Sequence, residues 1–410
     1  MPVALIGTLD TKGTELQFVR DELLARGVQS LVIDAGVQGP PRIQPDISRD
    51  ELFAAGGTSI TQMREANDRG QAVEAAARGA ATLLAELYAQ GRIEGILGLG
   101  GSAGTTIGTA AMRALPFGVP KVMVSTLASG QVRQWVGVRD IMMMHSVVDI
   151  SGLNRISRTV LANAAHAMAG MVAQRRAGEE QVSEKPVIAA TMFGVTTPCV
   201  EASRQALEGA GYEVLVFHAT GTGGMTMESF ILDGLIKGVL DITTTELADE
   251  LVGGILSAGR DRLTAAARRG VPQVISVGAI DMVNFGPRDT VPAQFHERRF
   301  YQHNASVTLM RTTPAENALL GREIAEKAAA ATGPTAILLP LRGVSAIDKE
   351  GQPFWWPEAD AALFDAIRQH NPPHVRLIEV DAHINDAVFA ETATHALLAM
   401  LDQPEHVPAN

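Results

Sequence analysis

From end to end the chain alternates short aliphatic runs with Ala-rich helical stretches, and most runs stop at glycine, serine, threonine or aspartate. In the first half, strand-like runs Val3 to Thr8, Ser30 to Asp34, Gly95 to Gly98 and Lys121 to Ser125 are separated by helical stretches at 13–26, 68–89, 103–114 and 155–175. Such alternation requires right-handed crossovers and therefore a doubly wound sheet. A second series begins at Val187 to Phe193. It continues through Tyr212 to His218, Gly238 to Thr243, Gln273 to Ala279, Ala336 to Leu341 and Val375 to Asp381. Helices are expected near 197–210, 224–235, 244–251, 259–269, 314–331 and 357–370. Aromatics are only 4% of the chain, so the cores must be aliphatic, as suits parallel sheets covered on both faces.

At 410 residues the chain exceeds what one core usually holds, and the polar segment 174–186, ending in Pro186, is the expected junction. The predicted fold is α/β, with two Rossmann-like doubly wound domains and mainly parallel sheets. Residues 1–178 would form an N-terminal nucleotide-binding domain. Residues 186–410 would form a C-terminal domain, with a metabolite site in the interdomain cleft. The similar ends of the opening strands, Gly7-Thr8 and Gly194 to Thr197, hint at duplication.

A formal net charge of −11 leaves no global footprint for nucleic acid or anionic lipid. The single Cys199 excludes an intramolecular disulfide or a multi-cysteine zinc site and fits a reducing, cytoplasmic setting. Cys199 itself reads as a buried small residue, and the run Met142-Met143-Met144 as core. The most apolar later helix, Val160 to Ala173, is interrupted by Asn163 and His166 and falls short of the ~20 residues of a membrane span.

Chemistry is expected beyond the carboxyl ends of the strands, where an open α/β sheet binds its ligand. The strand around Leu97 empties into Gly98-Leu99-Gly100-Gly101-Ser102-Ala103-Gly104, followed by a helix. Two chemistries need such a turn. As a phosphate cradle, its glycines let backbone N–H groups approach an anion. As a nucleophile elbow, it would present Ser102 for attack on a carbonyl, with His383 and either Asp381 or Asp348 as partners. The elbow lacks a His-Gly-Gly oxyanion segment before Ser102. No G-x-x-x-x-G-K-[ST] motif exists, and the following strand ends Val124-Ser125-Thr126 instead of at the acid a dinucleotide ribose needs.

The cradle is favoured, sharing its edge with Gly7, Thr8, Asp10, Thr11 and Lys12, with Gly100, Gly101, Ser102, Gly104, Thr105 and Thr106, and with Ser125 and Thr126. Asp10 or Asp149 would supply a carboxylate for Mg²⁺. In the second half His218, Glu246 and Asp281 follow strand ends and are the expected acid–base groups, with His303, Arg311, Asp348, His383 and Asp386 following near later strand or loop ends.

These loops resemble a family of uncharacterised bacterial, fungal and plant proteins, typified by the N-terminal ATP-binding, replication-inhibiting domain of the tomato mosaic virus resistance protein. The resemblance spans nearly the whole chain. It is carried by Gly7 to Lys12, Gly98 to Thr105, Pro120 to Thr126, Val148 to Ile150, Thr191 to Cys199, Val216 to Gly221, Asp241 to Glu246 and Gly278 to Pro287. It implies two Rossmann-like subdomains, ATP binding and a homodimer. Ala103 replaces the glycine of the family's Gly-Gly-Ser-Gly-Gly pattern, and Met225 stands where a basic residue is common. The antiviral activity of the plant protein is not implied by these loops.

The expectation is a cytoplasmic, homodimeric ATP-binding protein acting with Mg²⁺ on a small polar metabolite, with no nucleic-acid or membrane partner. The alternatives are an ATP-binding regulatory or interaction module without turnover, and a serine hydrolase using Ser102.

Overall fold

Apolar side chains leave both faces of the central strands of each half, so each sheet must be covered twice, and helices on both sides do the covering. The computed structural model describes residues 1–178 and 185–402, and the chain separates into two units, Met1–Val182 and Ser183–Asn410. Of the expected junction 174–186, residues 179–184 lie outside the described residues.

The first unit runs β1 (Val3–Gly7), α1 (Leu9–Leu24), β2 (Ser30–Asp34), α2 (Arg49–Ala55), α3 (Ile60–Ala66) and α4 (Arg69–Ala89). It continues through β3 (Gly95–Gly100), α5 (Ser102–Arg113), β4 (Lys121–Ser125), α6 (Arg133–Val136), β5 (Met142–His145) and α7 (Arg155–Arg176). All strands are parallel, in the order β2-β1-β3-β4-β5. Successive strand residues face opposite sides. Ile6, Ile96 and Met123 therefore meet Leu84 of α4 and Met112 of α5. Leu5, Leu97 and Val122 meet Leu16 of α1 and Met168 of α7.

The second unit opens with β6 (Val187–Met192), α8 (Thr197–Gly209), β7 (Glu213–His218), α9 (Thr222–Leu232), β8 (Gly238–Thr243), α10 (Thr245–Val252), α11 (Ala265–Arg269) and β9 (Gln273–Gly278). After an inserted sheet of β10 (Met282–Phe285), β11 (Phe300–Asn304) and β12 (Val307–Arg311) come α12 (Pro314–Ala329), β13 (Thr335–Pro340), α13 (Pro357–His370), β14 (Arg376–Val380) and α14 (Ala387–Leu401). The main sheet is parallel, in the order β14-β13-β9-β8-β6-β7, and the inserted one is antiparallel. The first five parallel strands of each unit thus share one order, second-first-third-fourth-fifth.

Three sequence expectations change. Helix α1 begins at Leu9 and not at 13, because Lys12 N–H already donates to Thr8 O at 2.7 Å, so Asp10, Thr11 and Lys12 occupy its first turn. The methionine run expected in the core is edge strand β5, and Met142 is 45% exposed. The helix expected over 259–269 shrinks to α11, because the preceding residues turn inward to bury Arg262.

Candidate nucleotide-binding site

In the order β2-β1-β3, the connections from β1 and β3 leave on opposite faces of the sheet, which opens a crevice at their carboxyl ends. A cavity of about 570 Å³ lies there, within the range of small-molecule sites. Two helix starts border it. At the start of α5, Gly101 provides no side-chain cap, and the N–H groups of Ser102, Ala103 and Gly104 precede the first intrahelical donor, Thr105 N–H, which bonds Gly101 O, leaving them free for an anion. At the start of α1, Thr8 likewise provides no side-chain cap, and its hydroxyl lies 2.6 Å from that of Thr11.

Helix α5 can approach this closely because the facing residues are glycines. A Cβ on Gly100 would come within 2.8 Å of Gly104 Cα, and one on Gly104 within 3.1 Å of Leu99 O. Gly101 differs: its φ is −80°, and the nearest group to an added Cβ is Thr126 Oγ1 at 3.8 Å. Gly101 therefore borders open cavity and not packed backbone.

Eight of the expected cofactor residues line the cavity: Thr8, Asp10, Thr11, Lys12, Gly100, Gly101, Ser102 and Gly104. The other five are placed elsewhere. Gly7 faces Leu16, whose Cδ1 would lie 2.6 Å from an added Cβ. Thr105 and Ser125 are buried and bond to each other at 2.7 Å, while Thr106 donates to Ser102 O within its own helix. Thr126 lies outside the lining and donates its N–H to Gly100 O. Hydroxyls that read as phosphate donors thus serve to brace α5 against β4 or to bond within α5.

The Lys12 ammonium donates to Ile150 O, which ties α1 to the loop carrying Asp149. Asp10 Oδ2 accepts the N–H groups of Gln38 and Gly39 and pins the loop after β2. Asp149 lines the cavity, and its carboxylate makes no hydrogen bond or ion pair among the described residues, its backbone carbonyl accepting Ser151 N–H. The opposite wall, missed by sequence reasoning, comes from α3 and α4. Met63, Ala72 and Val73 supply apolar surface, and Arg64 and Arg69 supply charge. Residues 35–66 carry no periodic signal, and α2 and α3 are only seven residues each. Also unforeseen is buried Asp34, which accepts from Leu9 N–H and Gly36 N–H and pairs with Arg49 at 2.7 Å, fixing the start of α1.

The second unit treats its expected acid–base groups differently. Glu246 is fully buried. Its Oε1 accepts the N–H groups of Gly221 and Gly224 at 2.7 and 3.0 Å, and its Oε2 pairs with Arg262 Nε at 2.6 Å. An internal carboxylate therefore fills the glycine-rich turn ahead of α9. Arg262, also fully buried, forms a bidentate pair with Asp241. Glu228 caps α11 through the N–H groups of Leu263, Thr264 and Ala265, and burial raises its pKa.

Asp281 is equally enclosed. It accepts from Ser345 Oγ at 2.8 Å, and burial, then the nearby Asp348, push its carboxyl up to about 8. Asp348 and Asp360 share the buried Arg311, at 3.3 and 2.6 Å. Of the three expected groups only His218 is exposed, its ring edge-on to Phe193 with centroids 5.7 Å apart. The structure does not bring His218, Glu246 and Asp281 to one exposed site.

His383 spends both ring nitrogens inside the second unit: Nε2 bonds Ser345 O and Nδ1 accepts from Asn385 N–H. Asp381 pairs with Arg342. The partners required for a Ser102 hydrolase are thus committed to other bonds. Burial pushes the Cys199 thiol up to about 12, which makes it unreactive. Among the described residues no helix is long and apolar enough to cross a membrane, and no group of three or more His, Cys, Asp or Glu side chains is arranged to hold a metal ion.

Comparison with known sequences matches residues 1–177 to the N-terminal domain and residues 185–401 to the C-terminal domain of Uncharacterised protein family UPF0261. A UPF0261 protein of Clostridium tetani is 50% identical over 98% of this chain and 99% of its own length. One from Rhizobium meliloti is 48% identical over 96% and 98%. The ToMV resistance protein Tm-1(GCR237) of Solanum lycopersicum is 43% identical over 99% of this chain, which spans 56% of the tomato protein. The chain belongs to UPF0261, the family to which its loop motifs pointed.

Proposed function

We propose that this UPF0261 protein binds ATP with Mg²⁺ in the cavity of its first unit. The observation that carries the reading is the convergence of two helix starts without side-chain caps, a glycine turn and Thr8 to Lys12 on one crevice at the β1/β3 switch point. The free N–H groups of residues 102–104 suit phosphate oxygens, and Met63, Ala72 and Val73 offer an apolar wall for a base. Asp149, whose carboxylate has no partner among the described residues, and Asp10 are the carboxylates that would hold Mg²⁺, whose charge would offset that of the phosphates. On the same reading the protein is a cytoplasmic homodimer, and a small polar metabolite is the acceptor of an ATP-dependent reaction.

Titration calorimetry with ATP and Mg²⁺ tests the proposal, and absence of heat at millimolar ATP would overturn it. Gly101→Val should abolish binding while the melting temperature stays within about 2 °C of the wild type, because the added carbons enter cavity and not packed backbone.

A second reading, an ATP-binding module without turnover, is favoured by the enclosure of Glu246 and Asp281, which leaves His218 as the one exposed member of the expected acid–base set. Phosphate release measured with a metabolite panel separates the two: binding without release favours the module.

A further inference from the structure

Arg64 lies on the cavity wall with Asp10, Asp68 and Asp149, yet its guanidinium forms no ion pair with a carboxylate among the described residues. Instead Nε donates to Val37 O at 2.7 Å, and Nη2 reaches Gln38 O at a long 3.5 Å. Both acceptors are neutral, and the second bond is weak by its length. The loop that offers them is held independently, since Asp10 accepts the N–H groups of Gln38 and Gly39. Releasing Arg64 therefore leaves that loop in place.

The helix carrying Arg64 is lightly attached. In α3 only Ile60 is buried; Met63 is partly covered, and the remaining residues are exposed. Its start is capped within its own segment, by Ser59 and Gln62. Its flanks suit a pivot. Gly57 has φ +74° with nothing within 4 Å of an added Cβ, and Asn67 stands in the left-handed region at φ +47°. The contacts holding α3 at the cavity are thus Ile60, part of Met63 and two hydrogen bonds from Arg64.

Building on the ATP reading, we propose that Arg64 is the phosphate-sensing residue of this site: a bound polyphosphate draws its guanidinium from the Val37 and Gln38 carbonyls and brings α3 over the nucleotide. The exchange is favourable because a guanidinium bonds an ionised phosphate more strongly than a neutral carbonyl, and its planar fork fits two phosphate oxygens at once. Arg64 would then separate ATP from AMP and adenosine, which offer fewer phosphate oxygens beyond those held by α5. Arg64 is accordingly a positioning and specificity residue; the cradle itself belongs to the backbone of residues 101–104.

The test pairs calorimetry on the full chain with hydrogen exchange. Arg64→Ala should weaken Mg-ATP binding by about tenfold to a hundredfold while changing adenosine binding less than about threefold. Arg64→Lys should recover only part of the loss. Exchange across 58–68 should slow on adding Mg-ATP in the wild type and remain fast in Arg64→Ala. Wild-type affinity in Arg64→Ala, or unchanged exchange at saturating ATP, would overturn the role of Arg64 while leaving the ATP site standing. Equal losses for ATP and adenosine would overturn it too, by reducing Arg64 to a general support of the cavity. Wild-type protein that takes up no ATP overturns both.

Discussion

Glu246→Ala is the substitution that most directly separates a frame residue from a catalytic one. The native carboxylate satisfies two N–H groups, of Gly221 and Gly224, and contacts a buried guanidinium. Alanine leaves both N–H groups buried without an acceptor, at about 1–3 kcal/mol each. Arg262 retains its bidentate pair with Asp241, so its charge is not orphaned. The expected loss is therefore about 2–6 kcal/mol. For a unit of this size that lowers the melting temperature by roughly 4–24 °C, at about 2–4 °C per kcal/mol.

Glu246→Gln should cost less, because the oxygen that accepts both glycine N–H groups is preserved and only the contact with Arg262 is spoiled. Arg262→Met should cost the most, stranding Asp241 and Glu246 as unpaired buried charges. Thermal unfolding followed by circular dichroism gives the ranking, with ATP calorimetry on each variant as a control for the first unit. A Glu246→Ala protein melting within about 1 °C of the wild type would refute the reasoning. Lost turnover in such a variant would return Glu246 to the reaction.

Gly100→Ala places its Cβ 2.8 Å from Gly104 Cα, so it should push α5 from β3 and lower both ATP affinity and melting temperature, unlike Gly101→Val. Equal stability of the two variants would show that the close approach of α5 does not matter. Asp281 supplies a pH signature. With its carboxyl raised to about 8, the folded chain retains a proton that the unfolded chain releases near pH 4, so stability should fall as pH rises between those values. Asp281→Asn removes that titration. Its melting temperature should decline less than that of the wild type between about pH 5 and pH 9, and parallel profiles would count against the burial argument.

The sequence was most legible where periodicity and strand-end chemistry coincide. The bounds of Gly238–Thr243 and of Pro357–His370 were read directly, and the Gly98 to Gly104 turn led to the cavity. Short or non-local features were not legible. Helices α2 and α3 span two turns each, too few to establish a period, so the wall carrying Met63 and Arg64 went unseen. The inserted antiparallel sheet and α14 were also missed, the helix because residues 387–401 are too uniformly apolar to show a polar face. Polar residues after strands were found reliably, but which way they turn was not. Ser125 and Glu246 both follow the expected pattern, yet each points into a brace formed with residues distant in sequence. Arg262, the hub of the second unit, has partners 16, 21 and 34 positions away and no local signature.

An anion supplied by the chain and one supplied by solution impose different dependences on the surroundings. Because Glu246 is covalently part of the second unit, its glycine turn is occupied at a fixed stoichiometry, and no change of salt or metabolite can fill it further. The turn ahead of α5 has no such tenant. Its unit should gain stability as RT ln(1 + [L]/Kd) with any anion that fits, and lose that increment on dilution or dialysis. Two domains with the same strand order would thus answer to different variables, one holding a constant set point while the other tracks the cell's supply of phosphorylated ligand.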